Sequence, residues 1–146
     1  MRLIFQDTED LSVVSALLQD ALVRVGDIAR SLQRGRFAFM ANRFRWEEVK
    51  RPLGVLPPVG PFSRVRAGVH FDGVSQVLAQ GVSLSETERV LELLDVSFSP
   101  AAPPGGTITL TFAGEAALAL VVECVEGAVI DVGEPWPSAH LPRHAG

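Results

Sequence analysis

Tyrosine is absent from this chain of 146 residues, cysteine occurs once, as Cys124, and lysine once, as Lys50. A lone cysteine excludes an internal disulfide and a cysteine-based zinc cluster. Its alternation with Leu120 and Val122 reads as a small buried apolar residue, not as a reactive thiolate. Long hydrophobic runs are missing too. The longest, Ala116–Val122, is far below the roughly 20 apolar residues of a membrane-spanning helix. The opening MRLIFQDTED meets its acids too early to hold a signal-peptide core. The expectation is a cytoplasmic protein with no membrane association. Gly105-Gly106 leads into a strand pattern and not a helix, the wrong context for a phosphate-binding glycine loop. No catalytic or ligand-binding motif rises above background.

What is present describes a fold. With 47% hydrophobic and 21% charged residues, the chain has the composition of one globular domain able to bury a core without staples. The clearest stretch is Thr107–Cys124. Ile108, Leu110 and Phe112 alternate with Thr107, Thr109 and Thr111, the period of a half-buried strand. Gly114 supplies a turn, and Leu118, Leu120 and Val122 return on one side. This hairpin is the expected centre of the sheet.

Leu3–Phe5 reads as a short strand. Asp7 or Thr8 offers an N-cap, and Leu11, Val14 and Leu18 follow at helical spacing, predicting a helix over about Glu9–Asp20. Val23–Leu32 is strand-like with a break at Gly26-Asp27. Arg36–Trp46 is a strand in which Phe37 and Phe39 share one parity and Phe44 and Trp46 the other. Either a bulge near Asn42-Arg43 reconciles them, or the strand is covered on both faces by something such as a partner subunit. The prolines and glycines of Val49–Phe62 make a long loop. Arg64–Asp72 alternates well, and Asp72-Gly73 signals a hairpin into Val74–Gln80. Ser85-Glu86-Thr87-Glu88 fits a capping box, but the alternation of Leu94, Val96 and Phe98 favours a strand over Val90–Ser99. Residues 125–131 continue as strand or short helix.

The fold class is therefore α+β and β-dominated. It is a strongly curved antiparallel sheet or incomplete barrel of about seven strands in sequential order, with one N-terminal helix packed on it. Residues 1–132 form a single β-rich domain, and residues 133–146 a proline-rich C-terminal tail pinned by Trp136.

The strings DTEDLSVVSALLQDALVRVGDIA, NRFRWE, RAGVHFDGV, PPGGTITLTFAGEAALALVVECVE and DVGEPW, in that order and spacing, resemble a family of small alphaproteobacterial proteins known only as a domain of unknown function. The likeness covers nearly the whole chain. It implies a single-domain bacterial cytoplasmic protein and brings no activity, cofactor or partner with it.

Charge is segregated. Ten of the 13 basic residues fall between Arg24 and Arg66 against Asp27, Glu47 and Glu48, so that segment carries +7 in a chain of −4. Arg43 and Arg45 share a parity beside Trp46, and Arg64 and Arg66 share another strand face. If those strands pair, four guanidinium groups would line one patch able to bind phosphates bidentately. The competing reading is that the arginines shield strand edges or meet acids within the molecule or across a dimer. The net negative charge works against nucleic acid as a partner. His70 and Asp72 face outward two residues apart on one strand, a conceivable acid–base pair with no nucleophile placed beside it. His140 and His144 have a zinc half-site spacing, but Pro142 forbids the helix that would align them. No metal or cofactor is expected.

The residues thus favour a non-catalytic binding module that self-associates as a homodimer or binds a protein partner. The motive is the surplus of apolar positions at Val121, Val125 and the second aromatic parity of Arg36–Trp46. Phosphate or nucleic-acid binding through Arg43, Arg45, Arg64 and Arg66 is the alternative. A small enzyme using His70 and Asp72 is the third.

Overall fold

A computed structural model describes residues 1–31, 33–49, 60–139 and 141–142. Among them lie ten strands and one α-helix: β1 (Arg2–Phe5), α1 (Thr8–Leu18), β2 (Leu22–Arg24), β3 (Ile28–Ser31), β4 (Arg36–Phe44), β5 (Phe62–Phe71), β6 (Val74–Gln80), β7 (Val90–Pro100), β8 (Gly106–Phe112), β9 (Ala116–Val122) and β10 (Gly127–Ser138). The strands form a single sheet in the order β1-β10-β5-β4-β2-β7-β8-β9-β6, with β3 joined to β4. Every pairing is antiparallel. The sheet does not close, so β1 and β6 are its two ends.

Ten strands stand where about seven were expected: the eight stretches that read as strand in the sequence gain two more. The break at Gly26-Asp27 is a full 3₁₀ turn, Val25–Asp27, that divides one predicted strand into β2 and β3. Of residues 125–131, those from Gly127 onward are strand and open β10. The order is not sequential either. Asp72-Gly73 does not close a hairpin: β5 pairs with β4 and β10, whereas β6 pairs with β9. Gly73, at φ 67°, instead turns the chain from one part of the sheet to another. The β8–β9 hairpin forms as read, with Gly114 and Glu115 both left-handed, but it lies toward the β6 end and not at the centre.

Asp7 caps α1 by accepting a hydrogen bond from the Asp10 N–H at 2.7 Å. Leu11, Val14 and Leu18 make its buried stripe, which packs chiefly on β7. A register irregularity between Leu93 and Asp95 disturbs the β7–β8 ladder. Beside it the Val96 N–H donates to Ser15 Oγ of the helix at 2.9 Å, so helix and bulge hold each other. The core is one cluster running from Phe5, Phe37, Phe39 and Phe71 to Leu110, Leu118 and Leu120.

The proline-containing stretch from residue 133 is, up to Ser138, the second half of β10. The last bond on the β1 side is from the Asp131 N–H to the Met1 carbonyl at 2.9 Å, so beyond Asp131 β10 is paired on the β5 side alone. Pro135 and Pro137 lack an N–H, and an edge tolerates that loss where a central strand would not. The register shifts between Val132 and Trp136, around left-handed Gly133.

Candidate functional site

The β4–β5 register decides where the arginines go. Arg43 stands opposite Val65 and Phe44 opposite Arg64, so Arg43 and Arg64 face opposite sides of the sheet. The four guanidinium groups therefore do not form one patch. Arg43 follows Phe37, Phe39 and Ala41 inward and is 0% exposed. It holds Asp131 through Nε and Nη2, both at 2.8 Å, and Glu47 through Nη1 and Nη2 at 2.9 and 2.6 Å. Burial opposes its charge, but the hydrogen bonds it donates to Asp131 and Glu47 outweigh that and raise its pKa. The Asp131 carboxyl is likewise lowered despite burial, and Glu47 is lowered first by its bond from Arg43. This is an internal brace joining β4 to β10.

Arg45 donates to Ser63 Oγ at 3.1 Å and pairs with Glu48. Trp46 Nε1 donates to the Gln19 carbonyl at 2.8 Å, and its ring lies 4.6 Å from that of Phe44. Arg64 donates to the carbonyls of Asn42 and Asp20 and lies over the Phe44 ring. Burial lowers its pKa. The second aromatic parity is thus covered within the chain, by Trp46, Phe62 and Arg64, and β4 needs neither a bulge nor a partner there. Val125 is buried as well. Arg64 and Arg66 do share the outer face of β5 with His70, but Arg64 is turned onto Phe44, while Arg66 contacts Asn42 Oδ1 at 3.3 Å and Asp27 Oδ2 at 3.5 Å.

That outer face holds a depression of about 320 Å³ floored by Ala38, Met40, Gly68, Ile130 and Val132. Gly68 is its key residue. A Cβ there would sit 3.6 Å from Met40 Sδ, an ordinary contact, so the missing side chain is what opens the hollow. His70 and Arg36 stand at one side and Asp27 at the other. Asp72 links the first two: its Oδ1 accepts from Arg36 Nε at 2.8 Å, while its Oδ2 lies 3.3 Å from His70 Nδ1 without hydrogen-bond alignment. A second hollow of about 310 Å³ shares Met40 and Asp27 with the first and reaches Leu22 and exposed Val90. Together they make a trough across the face. Among the described residues, no hydroxyl or thiol lines the first hollow. Of the residues singled out in the sequence, His70 lines the first hollow with Asp72 beside it and Arg66 lines the second, whereas Arg36, Asp27, Met40, Gly68 and Ile130 were not singled out as site residues. The alternation of small Ala38 and Gly68 with larger outward residues was the only trace, and it depends on a register that one chain's pattern does not print.

Cys124 lies just past the end of β9 and not on its inner face. It is partly exposed, with Sγ 3.8 Å from Glu126 Oε2. Desolvation and then the Glu126 carboxylate push its pKa up, away from a thiolate. His140 and His144 lie outside the described residues. Among the described residues no three His, Cys, Asp or Glu side chains group to hold a metal, and no helix is long and apolar enough to cross a membrane.

Fold and face together define a β-dominated domain built on one open antiparallel sheet with a trough on its outer side. Residues 1–144 match the family described as Protein of unknown function (DUF2948), and the chain belongs to it. No curated protein and no solved structure matches the chain.

Proposed function

We propose that this is a non-catalytic binding module of the alphaproteobacterial cytoplasm whose working surface is the outer trough. Its partner is an extended protein segment with a large apolar residue next to an acidic one. The observation that carries this is the hollow at Gly68: an apolar floor, kept open by a missing side chain, with the Arg36 guanidinium at one side of it and that of Arg66 in the adjoining second hollow. The size suits one large side chain and its neighbours, and the second hollow extends the surface beyond one small molecule. Arg36 is half exposed and gives only Nε to Asp72; among the described residues nothing takes its terminal nitrogens, which leaves a fork for a carboxylate. A protein partner is favoured over nucleic acid because the arginines are dispersed and paired with acids of the chain itself. A binding role is favoured over catalysis because, among the described residues, the hollow beside His70 is lined by no hydroxyl or thiol.

The test is selection of peptides from a random display library on immobilised protein, followed by titration of the winners. Sequences pairing a large apolar residue with Asp or Glu are expected, and Gly68→Leu, which fills the hollow, abolishes their binding while the protein stays folded. Peptides that bind Gly68→Leu as well as wild type would remove the trough from the reading. Salt-sensitive binding of RNA or polyphosphate, lost in Arg64→Ala/Arg66→Ala, would replace it with the anion-binding one.

A further inference from the structure

The two ends of the sheet are protected unequally. β1 has four residues and carries Arg2. β6 has seven, VSQVLAQ, with no charge and no proline. Five of those seven are exposed, Leu78 at 51%. Solvent-facing edges are ordinarily blunted by lysine, proline or an inward charge, because a bare edge presents N–H and C=O groups that only another extended chain satisfies. The uncharged character extends inward from the edge. Gln76, Leu78 and Gln80 of β6 lie beside Val121, Ala119 and Ala117 of β9. These in turn lie beside Thr107, Thr109 and Thr111 of β8. None of these nine outward residues is ionisable.

We infer that β6 pairs edge to edge with β6 of a second copy of this chain, antiparallel about a two-fold axis near Val77, to give one continuous sheet. A second copy is the occupant that fits. Across a two-fold axis each residue meets the same short segment, so a charge of either sign would meet itself. Two molecules of net −4 approach best where neither carries charge. Backbone pairing takes up the open edge, and the Leu78 side chains become diagonal neighbours on one face of the seam. This interface shares no strand with the trough, which is built on β3, β4, β5, β10 and the Val25–Asp27 turn with its second hollow reaching β2 and β7, so each stands or falls alone.

Sedimentation equilibrium of the wild-type chain across the micromolar range should give a mass twice 15.7 kDa. Leu78→Lys and Leu78→Glu, each at an exposed position, should separately raise the dissociation constant by at least about tenfold, and mixing the two variants should restore a heterodimer. A wild-type mass of one chain at every concentration overturns the inference. So does a dimer that both single variants leave intact, because its contact then lies elsewhere, or a pair of variants that stay monomeric when mixed although each remains folded by circular dichroism.

Discussion

The outer surface of this one sheet has two characters. Over β3, β4, β5 and β10 it carries Arg36, Arg66, His70 and Asp72 around an apolar floor. Over β8, β9 and β6 it carries threonine, alanine, valine, glutamine and leucine and nothing ionisable. Behind both regions the inner side is the same continuous apolar cluster. The core therefore does not explain the contrast, because either outer surface would be compatible with it. The charged region keeps its arginines in pairs with its own acids, and what it offers a partner is a hollow with a few spare donors. The uncharged region offers backbone.

The hardest blow to this picture falls on the charged region, at its buried anchor. Arg43→Met replaces a fully buried cation by an apolar side chain of similar length, leaving Asp131 with only the N-terminal ammonium at 3.5 Å and Glu47 with only the weaker field of Arg45. The expected loss is about 3–5 kcal/mol in urea unfolding. Arg43→Met/Asp131→Leu should recover much of it, since an apolar replacement of the whole pair removes the stranded charge. A loss near zero for the single variant would mean that water reaches the cluster. The same brace sets an acid limit. Asp131 and Glu47 have folded pKa values below their ordinary ones, so they contribute stability that is complete above the ordinary carboxylate range. That contribution is lost as the pH falls through the lowered values. In Arg43→Met the carboxyl of Asp131 loses its main depressing partner while its burial remains, so its folded pKa moves back up and the share of the acid-induced loss that comes from this site should shrink. Thermal melts of both proteins across an acidic pH series measure this.

Arg43 also marks where the sequence stops being legible. Alternation along β4 places it with Phe37, Phe39 and Ala41, on the inner side, but a charge at an inward position reads as an error of period until its partner is known. That partner, Asp131, sits two residues past buried Val129 in the same inward alternation of β10. An acid and a base at inward positions of separate strands were thus visible as two anomalies, and only the register makes them one feature. The β8–β9 hairpin was legible because its partner is next in sequence and its turn residues demand closure. At Asp72-Gly73 equally good turn residues mislead, because a turn signal states that the chain reverses, not which strand it then joins. The extent of β10 was hidden for a related reason: its prolines are compatible with a strand only where one side is unpaired, and sidedness belongs to the sheet order.

A middle-sized effect tests the trough without disturbing the fold. Gly68 has no left-handed backbone, and a Cβ finds room at 3.6 Å from Met40 Sδ. Gly68→Leu should therefore leave stability unchanged or raise it by about 0.5–1 kcal/mol, the usual cost of glycine inside a strand, while removing the peptide binding described above. Denaturant midpoints and titration on the same sample separate the two effects. If stability falls by more than about 2 kcal/mol, beyond what an open outward position can cost, the hollow is a packed part of the fold and not a receiving surface.

The smallest expected effect sharpens the uncharged region most. Thr109 lies on the outer face of β8, two strands in from the free edge of β6. Thr109→Glu should change stability by no more than about 0.5 kcal/mol, as an outward surface substitution does. Edge pairing through β6 does not cover this position, so the variant should sediment as wild type does. Stacking of two such faces would bury Thr109 and bring the introduced carboxylates together, which strongly disfavours association. A Thr109→Glu protein that becomes monomeric while Leu78→Lys stays dimeric would therefore move the contact from the edge to the face. The absence of charge over β8 and β9 would then be the interface itself, and the bare edge only its border.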